Sequence, residues 1–287
     1  MSPPERHRPA YSQSFAGDSL QELDPVLPLE GITEEWAWGS GTGKGVKVAV
    51  IDSGVDAPHP AVGHVEGYCD VQAAPDGSMR FLTEPHGDLF GHGTACAGII
   101  RSLAPECEIY SVRVLGKLLT GKGAVLAAGL KWAVTNGMHV CNMSLATPRQ
   151  EFFGILHELA DQAYFRNTCL VTSANNMPIP SFPAMFASVI SVASHDVNDP
   201  DLFYYNPSPP VEFGAHGIDV RVAWSKGSYM TSTGNSFATP HITGLVARIL
   251  GEHPGLAVFQ VKTILRALAA NVRGTGASAP AAGAPGA

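Results

Sequence analysis

The stretch Gly234-Asn235-Ser236-Phe237-Ala238-Thr239-Pro240-His241 places one serine between a glycine-led turn and an apolar helical pattern that continues to Leu250. Pro240 stands near the start of this pattern, where a helix tolerates proline, and Gly251 predicts its end. Ser236 is therefore expected at a helix N-terminus, where free N–H groups favour negative charge. Serine at a helix start often only caps the helix, so catalysis also needs a base, an acid and an oxyanion donor.

The composition narrows the classes of function. The chain has 287 residues, of which 45% are hydrophobic and 15% charged, so it can fill a sizeable core. Its net charge of -7 argues against nucleic acid or an anionic membrane surface as a partner. No apolar run reaches the roughly 18 residues that a membrane span needs, so no membrane partner is predicted.

Cysteine usage and the start of the chain predict a compartment. The cysteines are Cys69, Cys96, Cys107, Cys141 and Cys169. Their odd number and the lack of metal-binding spacing indicate free thiols in a reduced protein. The first residues are polar and lack the apolar core of a signal peptide. We therefore expect a cytoplasmic protein.

Short apolar runs alternate with helical patterns along the chain. Strands are predicted at 46–51, 109–115, 140–144, 168–173 and 188–193, with shorter ones between 211 and 229. Helices are predicted at 32–38, after 92, and at 123–134, 151–164, 236–250 and 254–270. The alternation predicts an α/β fold, a doubly wound, mostly parallel sheet with helices on both faces. We expect a flexible arm (1–28), one domain (29–271) and a disordered tail rich in Gly, Ala and Pro (272–287).

Three polar side chains stand at the ends of these predicted elements. Asp52 directly follows the strand 46–51, Asn176 follows the strand 168–173, and His92 begins a helical pattern between two glycines. Each alone also suits an Asx turn, a helix cap or a surface position. Because functional groups of an open α/β sheet collect at the carboxyl ends of its strands, we expect them near Ser236. Together with Ser236 as the nucleophile, His92 and Asp52 provide a base and an orienting acid.

In this order the motifs resemble those of the subtilisin family of serine peptidases. The matching segments are Ile51-Asp52-Ser53-Gly54, His92-Gly93-Thr94-Ala95-Cys96-Ala97-Gly98 and Gly234 to His241. A fourth, Val140-Cys141-Asn142-Met143-Ser144-Leu145, resembles the strand that lines the family's substrate cleft, and the resemblance covers 32–270. It implies that Ser236 attacks the scissile carbonyl, His92 transfers the proton and Asp52 orients the imidazole. The Asn176 amide and the Ser236 backbone N–H are then the oxyanion donors.

The resemblance also implies substrate-binding positions on one side of the scissile bond. Leu119, Thr120 and Gly121 are expected to offer backbone to an extended peptide. The cleft-lining strand contributes Ser144, and three leucines correspond to an apolar pocket, with ordinary core packing as the alternative. These leucines are Leu115, Leu126 and Leu145. Gly123 stands where a bulky side chain often closes this pocket, so an open pocket is expected.

Departures from the family pattern carry their own expectations. Ala146 and Ser181 stand where family glycines line the P1 pocket, so we expect a narrow pocket and a preference for slim P1 residues. Asn235 and Phe237 replace a common threonine and methionine, and Asn175 replaces a glycine, which leaves the oxyanion loop geometry open. Cys96, one helical turn after His92, resembles the free cysteine of the proteinase K-like branch. It is expected to pack under His92 and to confer sensitivity to mercurials.

No cofactor is required for this chemistry and no metal ligand is predicted. The family often binds structural calcium on surface loops, and Asp196, Asp199 and Asp201 are close in sequence, but no ligand set is assigned. The short segment before the domain makes the chain more similar to intracellular members. That arm is expected either to lie in the cleft as an inhibitor or to be a disordered terminus.

The predicted function is a serine endopeptidase that forms an acyl-enzyme on Ser236, in a processing or intracellular role such as peptide maturation. Its partner is a peptide or an unfolded protein segment, and no oligomeric state is predicted. One alternative is a peptide ligase or cyclase that uses the same acyl-enzyme. The other is a weakly active peptide-binding module.

Overall fold

The computed structural model describes residues 31–272. The arm expected at 1–28 lies outside the described residues, and so does the expected tail after Val272. No helix of the described chain combines the length and the apolar character needed to cross a membrane.

The centre of the molecule is a nine-stranded sheet in the order β3-β2-β4-β1-β5-β6-β7-β9-β8. Neighbours from β2 to β9 pair in parallel, and only the edge strands β3 and β8 pair antiparallel. The strands are β1 (Lys47–Asp52), β2 (Gly67–Ala73), β3 (Met79–Leu82), β4 (Glu108–Arg113), β5 (Val140–Met143), β6 (Cys169–Ser173), β7 (Ile190–His195), β8 (Phe203–Tyr205) and β9 (Phe213–His216). A separate hairpin pairs β10 (Val220–Trp224) with β11 (Ser228–Ser232).

The helices cover both faces of the sheet, as the alternating pattern predicted. They are α1 (Glu34–Ala37), α2 (His92–Leu103), α3 (Gly123–Thr135), α4 (Phe153–Phe165), α5 (Asn235–Glu252) and α6 (Val258–Leu268). Successive residues of a strand point to opposite faces. Val48 and Val50 of β1 therefore pack in the core that contains α2 and α5, whereas Ala49 and Ile51 pack in the core that contains α3 and α4.

Two details of the sequence-based assignment need correction. Gly251 does not end α5, which continues to Glu252. A Cβ atom on Gly251 would lie only 3.1 Å from Gly43 Cα, so the glycine permits close packing of the two backbones. Strands β2, β3 and β8 were not predicted, because they are edge or near-edge strands with exposed or half-buried residues instead of a continuous apolar run.

This topology brings together the parts of the site. The carboxyl ends of β1 and β6 lie on either side of β5 at the carboxyl-terminal end of the sheet, because the three strands are parallel and adjacent. Helices α2 and α5 pack against each other and begin at this same end. Functional groups at strand ends and helix starts therefore converge there.

Candidate active site

The buried acid and the imidazole form a close pair. Asp52 is the last residue of β1 and is fully buried, and His92 is the first residue of α2. His92 Nδ1 lies 2.9 Å from both carboxylate oxygens of Asp52. The Nδ1–H therefore donates to the carboxylate, which leaves Nε2 as the atom that can accept a proton.

A second carboxylate, which the sequence analysis did not single out, organises the start of α2. Asp88 accepts five hydrogen bonds of 2.6 to 2.9 Å, from the backbone N–H groups of Phe90, Gly91 and Thr94 and from the hydroxyls of Ser53 and Thr94. Ser53 directly follows Asp52, so Asp88 joins the end of β1 to the helix that carries His92. The sequence signal for it is weak, since an aspartate four residues before the histidine looks like any loop aspartate.

The charges around His92 decide its proton affinity. Burial acts to lower the pKa of His92, but the charge and hydrogen bond of Asp52, together with the charge of Asp88, outweigh burial. The pKa of His92 is consequently raised above its ordinary value of 6.5. An imidazole with a raised pKa is a stronger base, as proton abstraction from a serine hydroxyl requires.

Ser236 stands in the first turn of α5, directly after Asn235, at the helix N-terminus that its sequence context predicts. Ser236 and His92 line the same cleft. Within residues 31–272 the Ser236 hydroxyl makes no hydrogen bond to the imidazole, and such pairs often tighten only when substrate binds. The N-terminal N–H groups of α5 favour negative charge beside the Ser236 hydroxyl.

Asn176 lies across a small space from the serine. A Cβ atom on Gly234 would lie 3.4 Å from Ser236 Oγ and 3.5 Å from Asn176 Nδ2, so both polar atoms border the same space. The sequence left the geometry of the loop around Asn175 open. Asn175 is not among the described non-glycine residues that have a positive φ angle, so its backbone is unstrained. Asn175 Oδ1 instead accepts the Met177 N–H at 2.8 Å and shapes the turn that presents Asn176.

A cleft of about 730 Å³ opens beside these residues, within the ~300–1,000 Å³ that ligand sites usually occupy. Most of the predicted substrate-binding residues line it, namely Leu115, Leu119, Thr120, Gly121, Leu126, Ser144, Leu145 and Ala146. Ser181 does not line it, contrary to expectation, and is only 2% exposed. The next residue, Phe182, forms a backbone bridge with Thr147, and this bridge holds the segment behind the cleft wall.

The apolar pocket beside Gly123 is not open as expected. A Cβ atom on Gly123 would overlap the Phe152 ring, so the aromatic ring already fills the space that the glycine leaves. Phe152 lines the cleft together with Lys122, Arg149 and Glu151, none of which the sequence analysis identified. Their sequence signal is absent because Lys122 lies directly before α3, whereas Arg149, Glu151 and Phe152 lie at or in the short 3₁₀ helix Gln150–Phe152 before α4, and only the fold brings these segments together.

The described residues contain one group of three possible metal ligands whose donor atoms lie within 4.8 Å of one another, Asp52, His92 and Cys96. Two of these residues are the acid and the base described above. Asp196, Asp199 and Asp201 do not form such a group, and Asp201 instead lies 3.6 Å from Arg248. Structural calcium therefore stays a prediction without a ligand set.

Comparisons with known proteins find similar proteins in one family. A profile of the subtilase family of peptidases matches residues 43–283. Subtilisin Savinase of Lederbergia lenta is 31% identical over 245 residues, which cover 82% of this chain and 87% of that protein. The minor extracellular protease Epr of Bacillus subtilis (strain 168) is 32% identical over 252 residues, 83% of this chain but 37% of Epr. The crystal structure of a cold adapted subtilisin-like serine proteinase superimposes with a TM-score of 0.65 at 26% identity, covering 86% of this chain and 94% of that one.

Proposed function

The chain belongs to the subtilase family of serine peptidases, and on this premise we propose that it is an endopeptidase acting through a triad of Asp52, His92 and Ser236. The observation that carries the proposal is the buried Asp52–His92 pair at 2.9 Å, beside a cleft that Ser236 also lines. A serine hydroxyl is too weak a nucleophile without such a base.

The geometry supports a definite sequence of proton transfers. Ser236 Oγ attacks the scissile carbonyl carbon while His92 Nε2 takes the hydroxyl proton. The negative charge that develops on the carbonyl oxygen is stabilised by Asn176 Nδ2 and the Ser236 backbone N–H. The imidazolium returns its proton to the leaving amine, and water then hydrolyses the acyl-enzyme with His92 again as the base. Asp52 accepts the Nδ1–H hydrogen bond of His92 and so holds the tautomer in which Nε2 is free to take a proton.

The substrate class follows from the shape and lining of the cleft. Apolar leucines and the backbone of 119–121 suit an extended peptide from a flexible or unfolded chain. Ala146 lines the cleft, which supports a preference for slim P1 side chains over large aromatic ones. A peptide library varied at P1 tests this preference, and faster cleavage after Phe or Tyr would contradict it.

We also infer a reducing compartment and a role in processing a peptide precursor. All five cysteines are free and buried. Cysteines without a disulfide are typical of proteins from reducing compartments, which supports this inference. Fractionation of the native host with a tagged chain tests the compartment, and recovery outside the cytoplasm would contradict it.

The proposed activity is tested by labelling the purified chain with a fluorophosphonate, with Ser236→Ala as the control. Labelling of the wild type alone and cleavage of peptides support the endopeptidase. Joined or cyclic products from peptides supplied with an amine would favour the ligase. Peptide binding without labelling or turnover would favour the binding module.

A further inference from the structure

We propose that Asn235 is a positioning residue that holds the oxyanion loop (residues 174–176) in register with the catalytic serine. This inference rests on the proposed function, because an oxyanion loop matters only if Ser236 forms a tetrahedral intermediate. The side chain of Asn235 makes contacts that a side chain with a single donor, such as threonine, could not make.

The side chain of Asn235 uses all its main hydrogen-bonding groups to join three backbone segments. Its Nδ2 donates to the carbonyls of Ala174 at 3.3 Å and Asn175 at 3.1 Å. Its Oδ1 accepts the Ser194 N–H of β7 at 2.9 Å. An amide has two N–H donors and one carbonyl, whereas a threonine hydroxyl has a single donor. The asparagine can therefore bind both loop carbonyls at once.

The backbone of Asn235 fixes the orientation of the oxyanion donor. The Asn235 N–H donates to Asn176 Oδ1 at 2.9 Å. Because this bond occupies the oxygen end of the amide, Nδ2 is the end left to face the space beside Ser236 Oγ. Within the described chain Asn176 Nδ2 donates no hydrogen bond, so it is available to a substrate oxyanion.

The loop needs this support because the sheet holds only its first residue, where the Ala174 N–H donates to the Val192 carbonyl of β7 at 2.8 Å. Strand β6 ends at Ser173, and Asn176 and Met177 are exposed. Asn235 directly precedes Ser236 at the start of α5. Its hydrogen bonds therefore fix the position of the loop relative to the nucleophile. Misplacement of a catalytic group by about 1 Å can cost about 100-fold in rate. The hydrogen bonds of Asn235 to the loop, here called the Asn235 clamp, thus set the distance between Ser236 and the Asn176 amide.

The test is a double-mutant cycle of Asn235→Ala and Asn176→Ala, measured as kcat and KM for one peptide and as the rate of fluorophosphonate labelling. We expect Asn235→Ala to lower kcat about 10- to 100-fold with KM within about two-fold, since the oxyanion forms only in the transition state. In the Asn176→Ala background the same substitution should lower kcat less than about three-fold, because the donor that it positions is gone. Asn235→Thr should have a kcat between those of Asn235→Ala and the wild type, because its hydroxyl keeps a single donor.

A matched control is Asn206, whose Nδ2 donates to the carbonyls of Ser208 and Val211 at 2.7 Å and whose Oδ1 accepts the Ser208 N–H. Asn206→Ala should lower the melting temperature without changing kcat. Equal losses of kcat for Asn235→Ala in both backgrounds, or a change in KM alone, would overturn the inference. If Asn235→Ala does not fold, Asn235→Thr carries the same cycle. A wild type that neither labels nor cleaves peptides would instead refute the proposed function.

Discussion

Pro240 stands four residues after Ser236 in α5, so the Ser236 carbonyl lacks the amide donor that an α-helix would provide. The sequence predicted that the proline would be tolerated near the helix start, but the structure shows that it leaves one acceptor free. Ser144 Oγ donates to this carbonyl at 2.8 Å, and Cys96 Sγ lies 3.6 Å from it. The proline therefore leaves this carbonyl open to side-chain donors, and the Ser144 hydroxyl acts as a brace on the backbone of Ser236.

Ser144→Ala should destabilise the protein by about 1–3 kcal/mol, because it leaves the Ser236 carbonyl without its hydroxyl donor. It also breaks a buried chain in which Thr243 Oγ1 donates to Asn142 Oδ1 and Asn142 Nδ2 donates to Ser144 Oγ. Urea denaturation measures the loss. Thr263→Ala is the control, since Thr263 Oγ1 donates to a helical carbonyl in an exposed position, and it should cost no more than about 0.5 kcal/mol. Equal losses for the two variants would contradict the brace.

The pH dependence of activity should reflect the raised pKa of His92. Below this pKa the imidazole is protonated and cannot act as a base, so kcat/KM should fall as pH decreases, with a midpoint above 6.5. Asp52→Asn should lower kcat on the order of 10⁴-fold and move the midpoint to lower pH, because burial then acts without the opposing charge of the carboxylate. A profile of kcat/KM against pH measures both effects. An unchanged midpoint in Asp52→Asn would contradict this assignment.

Phe152→Ala should open the apolar pocket beside Gly123. We expect KM to fall about 10-fold for peptides with a bulky side chain at this subsite, since a better-filled apolar pocket gains about 1–3 kcal/mol. Gly123→Ala should be destabilising in the wild type, because its methyl group would overlap the Phe152 ring, and tolerated in Phe152→Ala. Peptide profiling and thermal melts measure the two effects. Phe259→Ala, which removes a 55% exposed ring outside the cleft, should change neither.

Mercuric ion should inhibit the enzyme through Cys96. Its thiol is fully buried, 4.0 Å from Asp52 Oδ2, so bound mercury would disturb the acid–base pair. Burial, and secondarily the charge of Asp52, raise the pKa of this thiol well above its usual value, so alkylating reagents should react slowly at neutral pH. Residual activity against mercury concentration measures the effect. Cys96→Ser should be resistant and Cys107→Ser should stay sensitive; a sensitive Cys96→Ser would refute the idea.

Much of the fold was predictable because its signals are local. The parallel strands β1, β5 and β6 are continuous apolar runs, and α3 and α5 follow clear helical patterns, so an α/β sheet with helices on both faces was predicted and confirmed. The edge strands escaped prediction because half-exposed residues lack such a pattern. The end of α5 was predicted wrongly at Gly251, because a glycine that is needed for close contact with Gly43 has the same sequence signal as a helix stop.

The chain order and residue types around Asp52, His92, Ser236 and Asn176 were enough to predict a serine peptidase, because each residue stands at the end of an element whose pattern is local. The supporting contacts depend on segments far apart in the chain. Asp88 at the start of α2, the Asn235 clamp on the oxyanion loop and the Phe152 ring beside Gly123 all arise where separate elements meet. Hydrogen bonds and ring contacts of this kind depend on distances of a few tenths of an ångström, and only the packed tertiary structure determines such distances.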